Sequence, residues 1–389
     1  MNNCELKLKY ENYYGKGEDL RYYFSPGRIN VIGEHIDYNG GLVFPCAISL
    51  GTYACVSLRE DNNLNLYSEG MPKEGLINFD LYSNLDKGNN WADYVKGVIS
   101  EIKKLGYKVE QGFNAYVYGN LPKGASVSSS ASLELLFAEI IRDINKLDIS
   151  DLELVKVCQR AENNFVGLRC GIMDQFAIGM SKKDNAILLD CSKIEYEYVP
   201  LELKDNVILI MNTNKSRSLV TSKYNERCDE CAKGLKSIQD GYKQIKYLCE
   251  LEEKELEEIK EIINEEIVYK RVRHVVSEMA RVKKTYNALK EGKLEVVGSL
   301  LNESHKSLKE DYEVTGLELD TIVELAQGVE GVLGARMIGA GFAGCAIGIV
   351  KKAKVEEVIS KVCKGYKDII GYDCDIYVAQ TSDRTSRII

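Results

Sequence analysis

The chain has 389 residues, of which 45% are hydrophobic and 28% are charged. This composition is ordinary for a soluble globular protein, and the length predicts two domains. The formal net charge of −8 argues against general nucleic-acid binding, which needs a basic face. A phosphate-bearing ligand is not excluded, because loop and helix amides hold phosphate whatever the overall charge.

The N-terminal stretch MNNCELKLKYENYYGKGEDL has no apolar core of a secretory signal, and no apolar run in the chain approaches the length of a membrane span. The twelve cysteines lack the spacing of a disulfide framework, which indicates free thiols in a reducing compartment. We therefore expect a cytoplasmic protein without a membrane partner, and we favour a monomer. The CDEC sequence at 228–231 lies in a charged helical region, so a solvated helix carrying two thiols is favoured over a zinc or redox site.

The first half of the chain mixes strand and helix patterns. Strands are predicted at 20–58, 64–70, 113–118, 186–190 and 194–200. Helices are predicted at 91–105, after a Gly/Pro/Ser loop at 119–129, and at 151–166.

The character of the sequence changes near residue 205. A strand at 207–214 is followed by an almost wholly helical and charged stretch at 217–310, and strand patterns return within 331–352 and at 375–380. This order predicts an α+β chain with an N-terminal domain over 1–205 and a C-terminal domain over 206–389. We expect the site in the cleft between the two domains.

The stretch GRINVIGEHIDYNGG, at 27–41, holds more hydrogen-bonding groups than a turn needs for its own backbone. It is the first of three unusual clusters. It contains one of only three histidines in the chain, His35, His274 and His305, and there is no HExxH sequence. A zinc hydrolase is therefore not expected.

The second cluster is LPKGASVSSSAS, at 121–132, where a strand, a small-residue loop and a helix start make a ready anion site. It is not a Walker A loop, because Lys123 precedes Gly124. Ser128, Ser129 and Ser130 offer hydroxyls for capping, phosphate or Mg²⁺. A capped helix after a flexible loop explains the same residues equally well.

Two carboxylates and a third cluster complete the set. Taken singly, Glu162 and Asp174 are typical surface carboxylates. Together with Ser130 they could hold Mg²⁺ and place one carboxylate beside an acceptor hydroxyl, as phosphoryl transfer requires. The glycines of MIGAGFAGCAIGIV, at 337–350, permit close backbone approach to a ligand, although a bulged strand–turn–strand would also use them.

Taken in this order, the three clusters resemble those of the GHMP kinase superfamily and, within it, the galactokinase family. The resemblance covers roughly residues 20–380, and the first cluster is its most specific part. Further segments resemble the same family: CGIMDQF, LDC, NTNKSRSLVTSKYNER, RVRHVVSE and SHKSLKEDYEVTGLELD.

This resemblance implies a two-domain GHMP kinase fold that transfers the γ-phosphoryl group of ATP to the 1-hydroxyl of α-D-galactose. It implies that Asp174 is the catalytic carboxylate and that Arg28 is its partner. It places the galactose contacts at Glu34, His35, Ile36, Asp37 and Tyr224. It places the ATP contacts at Ser68, Gly124, Ala125, Ser126, Val127, Ser128, Ser129 and Ser130, and the Mg²⁺ ligands at Ser130 and Glu162.

Four residues depart from the family pattern. Ser126 and Val127 stand where Gly and Leu are usual, Ile36 replaces a common Thr, and Ala343 replaces a common Gly. None of these changes removes a charged catalytic group, so activity is expected. The serine could restrict the backbone or add a hydroxyl near phosphate.

Two other functions remain open from the sequence. The first is a related sugar 1-kinase, for example one acting on N-acetylgalactosamine, with the same chemistry and a different pocket. The second is a sugar- and ATP-binding sensor that uses the fold without turnover, since fold does not fix function. A pure binder would not need Arg28, Ser130, Glu162 and Asp174 together.

Overall fold

The computed structural model describes residues 3–122, 124, 126–168, 170–216 and 220–388. Its helices are α1 Asn3–Tyr14, α2 Ala92–Lys104, α3 Ser129–Asn145, α4 Asp151–Arg160, α5 Met173–Met180, α6 Val220–Gly241, α7 Leu256–Ile262, α8 Glu266–Lys290, α9 Leu294–Glu310, α10 Leu317–Gln327 and α11 Val355–Ile370. Its strands are β1 Arg21–Asn30, β2 Leu42–Val43, β3 Pro45–Leu58, β4 Asn63–Ser68, β5 Ile77–Asp80, β6 Phe113–Gly119, β7 Asn185–Asp190, β8 Glu195–Pro200, β9 Asn206–Asn212, β10 Val332–Met337, β11 Cys345–Lys351, β12 Asp375–Ala379 and β13 Ser386–Ile388.

The strands form three sheets. The first has the order β13-β1-β3-β6-β4-β5, the second β10-β11-β9-β12, and the third β2-β7-β8. Most neighbours are antiparallel, but β4 and β6 are parallel. The β1–β3 pairing shifts register between Pro26 and Gly27, just before Arg28. A β-bulge of this kind re-aims the side chains that follow it.

The helices bury apolar stripes against these sheets. In α2, residues Val95, Val98, Ile99 and Ile102 recur at helical spacing and are all fully buried in one core with β3, β6 and α3. A second core joins β1 to β9, β11, α6, α8 and α9. A third packs α10 and α11 on the other face of the second sheet. The second core therefore connects the first cluster to the C-terminal half of the chain.

The predicted α+β class is confirmed, and the predicted strands and helices of the first half are present with shifts at their ends. The helix expected at 151–166 is α over Asp151–Arg160 and then a π-helical turn over Ala161–Val166. Within the predicted helical stretch 217–310, residues 217–219 lie outside the described part, and the remainder holds α6 to α9.

Six elements were not predicted: α1, α5, α10, α11, β5 and β13. The last strand, β13, pairs with β1, so the chain end returns to the first sheet. We propose that the chain divides near residue 205, where β9 starts the second sheet at Asn206. Because of β13, the C-terminal residues of the second part complete the first sheet.

Candidate active site

The three sequence clusters meet around one cleft of about 400 Å³. Its lining comes from β1 and the loop after it, the loop before α3, the start of α5, α6, and the turn between β10 and β11. The lining residues are Arg28, Glu34, His35, Asp37, Pro122, Gly124, Ser126, Val127, Ser128, Ser129, Ser130, Cys170, Gly171, Met173, Asp174, Tyr224, Gly339 and Ala340.

Arg28 and Asp174 form a two-point ion pair at this cleft. Arg28 Nε donates to Oδ1 of Asp174 at 2.9 Å, and Nη2 donates to Oδ2 at 3.0 Å. The guanidinium is 8% exposed, whereas the Asp174 side chain is 34% exposed. Arg28 Nη1 also donates to the carbonyl of Ser126 at 2.5 Å. The paired donors fix the orientation of the carboxylate, and the cleft side of Asp174 stays open to a ligand.

Ser128 links this ion pair to the start of α3. It stands at the N-cap position with φ +60°, yet its hydroxyl makes no capping bond and donates to Asp174 instead. By contrast, Ser150 caps α4 in the usual way, accepting from the amide of Glu153 at 3.2 Å. The first amides of α3 are therefore not used by Ser128 and face the anion site that a helix N-terminus provides.

The loop before α3 has a left-handed backbone. Gly124 has φ +75° and Ser126 has φ +53°. The turn after β10 approaches it closely, since a Cβ added to Gly339 would lie 2.9 Å from Cβ of Ser126. Only glycine permits that approach. The third cluster therefore forms one wall of the site.

Glu34 is a buried carboxylate held by groups from both halves of the chain. Its Oε1 accepts from Nη2 of Arg336 and from the amide of Gly339, each at 3.0 Å. Its Oε2 accepts from Nδ2 of Asn30 at 3.2 Å. Arg336 is fully buried on β10 and also donates to the carbonyls of Asn30 and Val31. These bonds orient Glu34 toward the cleft.

His35 is 5% exposed and has the left-handed φ of +63°. Its Nδ1 lies 2.9 Å from the hydroxyl of Tyr38, and Nε2 has no hydrogen-bond partner among the described residues. Burial lowers the pKa of His35 to about 3, so the ring is neutral at neutral pH. A neutral imidazole with one unpaired nitrogen at a cleft is suited to bind a hydroxyl.

Asp37 and Tyr224 complete this side of the cleft. Burial, together with the charge of Glu34, raises the pKa of Asp37 to about 6. Burial also raises the pKa of Tyr224, whose ring centroid lies 5.7 Å from that of His35. The cluster therefore offers acceptors and donors that converge on one small volume, as recognition of a polyhydroxyl ligand requires.

Glu162 lies behind the cleft lining, in the π-helical turn. Its Oε2 accepts from Nε2 of Gln175 at 2.7 Å and from Sγ of Cys170 at 3.3 Å. Burial raises the pKa of Glu162, and the hydrogen bond from Cys170 offsets part of that rise. A π-helical turn is frequent at functional sites, because it re-aims side chains in a helix.

Glu134 was not predicted and lies beside this group on α3. It is fully buried, and its Oε2 accepts from the same Gln175 Nε2 at 3.2 Å. Burial, with the charge of Glu162 second, raises the pKa of Glu134 to about 9. This carboxyl is therefore neutral at neutral pH.

Among the described residues, no group of three or more His, Cys, Asp or Glu side chains is arranged to hold a metal ion.

Not every predicted residue reaches the cleft. Ile36 does not line it: the side chain is fully buried in the core, and its carbonyl accepts from the amides of Asn39 and Gly41. Ser68 lies at the end of β4 and is also outside the lining. Ala125 lies outside the described residues.

One further expectation needs correction. Cys231 of the CDEC sequence is 2% exposed, with Sγ 3.1 Å from the hydroxyl of Tyr312, so its helix face is not solvated there. The distant residues His35 and His274 both pack on the ring of Tyr312, at 4.8 and 4.5 Å between centroids. Among the described residues, which include all twelve cysteines, there is no disulfide bond.

Several supporting residues were missed by sequence reasoning. Arg336 and Tyr312 contact cluster residues only after the second half of the chain packs on the first. A charged residue within the apolar strand VLGARM and a tyrosine in EDYEV were the available signals. Cys170, Gly171 and Met173 line the cleft because they directly precede Asp174.

Family models match three parts of the chain. The galactokinase galactose-binding signature matches residues 8–58, the GHMP kinase N-terminal domain matches 93–182, and the GHMP kinase C-terminal model matches 286–368. A crystal structure of a mevalonate kinase has the same fold, with a TM-score of 0.67 at 19% identity over 94% of this chain and 100% of that one. Fold and site together define a GHMP kinase.

Closer relatives narrow this class. A galactokinase from Clostridium tetani is 51% identical over 389 residues, which cover 100% of this chain and 98% of that protein. The crystal structure of Lactococcus lactis galactokinase complexed with galactose has a TM-score of 0.91 and 46% identity, and covers 99% of both chains. The chain belongs to the galactokinase family, whose members are ATP-dependent sugar kinases. In the described part of the chain, no helix has the length and apolar character needed to span a membrane.

Proposed function

We propose that the protein transfers the γ-phosphoryl group of ATP to the 1-hydroxyl of α-D-galactose, giving galactose 1-phosphate and ADP. One observation carries this proposal: the Arg28–Asp174 ion pair lies between a hydroxyl-binding cluster and the loop before α3, in the same cleft. Phosphoryl transfer depends almost entirely on such positioning and on electrostatic stabilisation.

The sugar is bound by Glu34, His35, Asp37 and Tyr224. A galactose differs from a glucose in the position of one hydroxyl. A site built from fixed donors and acceptors rejects the wrong isomer, because its own buried polar groups would be left unpaired. The buried Glu34 and His35 meet this condition, since both are held by internal hydrogen bonds on one side and line the cleft on the other.

Asp174 is the residue beside the acceptor hydroxyl. Its carboxylate accepts the hydroxyl hydrogen bond, orients the oxygen toward the phosphoryl group, and takes the proton as the new bond forms. Arg28 stabilises the ionised carboxylate and offsets the charge that develops on the transferring group.

The phosphates of ATP bind the loop Gly124–Ser130 and the first turn of α3. Left-handed backbone at Ser126 and Ser128 turns loop amides and carbonyls to different sides of the loop, and the amides at the start of α3 suit an anion. A contact of Ser68 with the nucleotide would require ATP to extend beyond this cleft.

Ser130 and Glu162 fit Mg²⁺ by the chemistry of their donors, since Mg²⁺ takes hard oxygen ligands and is usually bound by one or two side chains plus phosphates and water. Ser130 lines the cleft, and Glu162 accepts a hydrogen bond from Cys170, which lines the cleft as well. When bound, Mg²⁺ would neutralise charge on the phosphates.

The proposal is tested by ADP release with ATP and Mg²⁺ across galactose, N-acetylgalactosamine, glucose and mevalonate, with galactose binding measured by calorimetry. We expect turnover with galactose, at a kcat/KM well above that for the other three. Turnover only with N-acetylgalactosamine would keep the mechanism and change the substrate. Galactose binding without any turnover would identify a sensor and contradict the proposal.

We also propose a cytoplasmic location and a monomeric state. The described residues, which include all twelve cysteines, contain no disulfide bond, which fits a reducing compartment. Localisation of a tagged chain and size-exclusion chromatography with light scattering test the two statements separately.

A further inference from the structure

A line of hydrogen-bonded side chains runs from His35 into the C-terminal half of the chain. Nδ1 of His35 is 2.9 Å from the hydroxyl of Tyr38, and that hydroxyl is 2.7 Å from the hydroxyl of Tyr312. The Tyr312 hydroxyl is in turn 3.1 Å from Sγ of Cys231. Tyr312 is fully buried, and Cys231 is 2% exposed.

His35 needs such support for two reasons. Its backbone is left-handed, at φ +63°, which is uncommon for a residue with a Cβ. Its ring is neutral, so one nitrogen carries a hydrogen and the other does not, and the partner of one nitrogen decides what the other offers. The partner of Nδ1 therefore sets what Nε2 offers to the cleft.

We propose that Tyr38 and Tyr312 are positioning residues that hold His35 as its Nε2–H tautomer, so that His35 donates a hydrogen bond to a hydroxyl of the sugar. This inference rests on the proposed function for the identity of the ligand. The hydrogen-bond chain itself is a property of the free protein.

The direction of the chain follows from the chemistry of its members. A phenol O–H is a better donor than the N–H of a neutral imidazole, and an imidazole nitrogen is a better acceptor than a phenol oxygen, so the Tyr38 hydroxyl donates to Nδ1. A hydroxyl has one hydrogen, so Tyr38 then accepts from Tyr312 rather than donating to it. The Cys231 thiol can donate weakly to Tyr312 and end the chain.

A donor at Nε2 also complements the rest of the sugar site. The carboxyl oxygens of Glu34 accept hydrogen bonds from Arg336, Gly339 and Asn30, and a carboxylate at Asp37 likewise only accepts. A sugar hydroxyl that accepts from His35 is free to donate to one of these carboxylates. That hydroxyl then both donates and accepts a hydrogen bond, so a sugar with the hydroxyl in another position would lose both bonds.

The tautomer is tested by ¹⁵N NMR of the imidazole nitrogens in the free protein. With three histidines in the chain, His35→Asn assigns the signals of His35 by their loss. We expect a single Nε2–H tautomer for His35 in the wild type and a mixture in Tyr38→Phe. An Nδ1–H tautomer in the wild type, or a spectrum unchanged by Tyr38→Phe, would overturn the proposal whether or not the protein phosphorylates galactose.

Kinetics give a second, independent test. Tyr38→Phe should raise the galactose KM roughly tenfold, with the ATP KM and kcat within about twofold of the wild type, because a hydrogen bond to a buried group is lost on the sugar side only. Tyr312→Phe should have a smaller effect in the same direction. The double variant should match Tyr38→Phe alone, because Tyr312 acts through Tyr38.

Tyr10→Phe is the matched control. Tyr10 is 1% exposed, and its hydroxyl is 2.6 Å from that of Ser57, on α1 and away from the cleft. It should lose stability without a change in galactose KM. If Tyr312→Phe loses stability in the same way but leaves the tautomer and the galactose KM unchanged, Tyr312 is structural and the proposal is wrong.

Discussion

Arg28 and Asp174 stand 146 positions apart in the chain and are joined by two parallel hydrogen bonds of 2.9 and 3.0 Å. The pair ties strand β1 of the first sheet to the first turn of α5. Its guanidinium is buried, and its carboxylate is open to the cleft. Because of this difference in exposure, Arg28 fixes the orientation of the pair and Asp174 is accessible to the acceptor hydroxyl.

Asp174→Asn should reduce kcat by at least roughly 10²-fold while galactose binding stays largely intact. The amide keeps the shape and accepts from Arg28, but it cannot take a proton from the acceptor hydroxyl. Steady-state kinetics with calorimetric galactose binding measure both effects. Asp61→Asn, in an exposed ion pair with Arg59, is the control and should not change either value. Wild-type turnover in Asp174→Asn would remove the residue from the proposed role.

Glu162→Ala should raise the Mg²⁺ concentration needed for half-maximal activity, or abolish turnover, because it removes a hard oxygen ligand. Binding of Mn²⁺ in the presence of ATP, followed by electron paramagnetic resonance, should weaken in parallel. Glu153→Ala, which removes a surface carboxylate paired with Arg160, serves as the comparison. An Mg²⁺ titration of Glu162→Ala that overlays the wild type would count against the assignment.

Galactose binding should weaken as the pH falls through about 6. Burial raises the pKa of Asp37 to about 6, so its carboxyl is ionised above that pH and protonated below it. A protonated carboxyl accepts hydrogen bonds poorly, and His35 stays neutral over this range because its pKa is lowered to about 3. Asp37→Asn should bind galactose less tightly but with little pH dependence between 5 and 8. If Asp37→Asn retains the pH dependence of galactose binding seen in the wild type, another group is responsible for that dependence.

Glu134→Gln should stabilise the protein, and more so at pH 8 than at pH 5. Because the pKa of Glu134 is raised to about 9 in the folded protein, the folded state keeps a proton that the unfolded chain has released above pH ~4.5. The contribution of Glu134 to stability therefore falls as pH rises through that window, and the amide avoids this loss of on the order of 2 kcal/mol near neutral pH. Urea unfolding at the two pH values measures this difference in stability, with Glu153→Gln, at a partly exposed position, as the control. Equal destabilisation at both values would contradict the expectation.

Ser126→Gly should retain activity and gain roughly 0.5 kcal/mol of stability, because a left-handed φ of +53° strains a residue with a Cβ. Lys146→Gly is matched to it, since Lys146 has the same φ at the end of α3, outside the cleft lining. Both variants should stabilise, and only Ser126→Gly should alter the ATP KM. Destabilisation by Ser126→Gly alone would show that the serine hydroxyl contributes more than the strain costs.

The sequence predicted the α+β class from the order of its strand and helix patterns, and the first cluster is the most specific of the three. Glycines, consecutive serines and crowded polar groups are visible without knowledge of packing. The same holds for Arg28 and Asp174, which lie inside or directly beside these stretches and line the cleft together.

Other parts of the site depend on contacts that local patterns do not contain. Arg336 reads as one charged residue in an apolar strand, and only packing of β10 on the first cluster brings it to Glu34. The left-handed backbone at Ser126 contradicts local propensity and follows from the loop as a whole. The contact of Cys231 with Tyr312 joins α6 to the segment after α9.

Two errors have clear physical reasons. Helices α10 and α11 flank the glycine-rich strands β10 and β11, whose apolar pattern dominated the prediction of that region. Ile36 was included with the sugar contacts because its neighbours belong to the first cluster. Its apolar side chain instead packs into the core, while the polar side chains beside it face the cleft.

The central claim is that one cleft places a sugar's anomeric oxygen against Asp174 and the phosphoryl group of ATP. The most direct measurement is the ³¹P and ¹³C NMR spectrum of the product formed from galactose labelled with ¹³C at carbon 1. For the wild type, we predict a product with phosphorus–carbon coupling at the labelled carbon. For Asp174→Asn, we predict a much lower yield of that product in the same reaction time. A phosphorylated product without that coupling, or an unchanged yield in Asp174→Asn, would contradict the account.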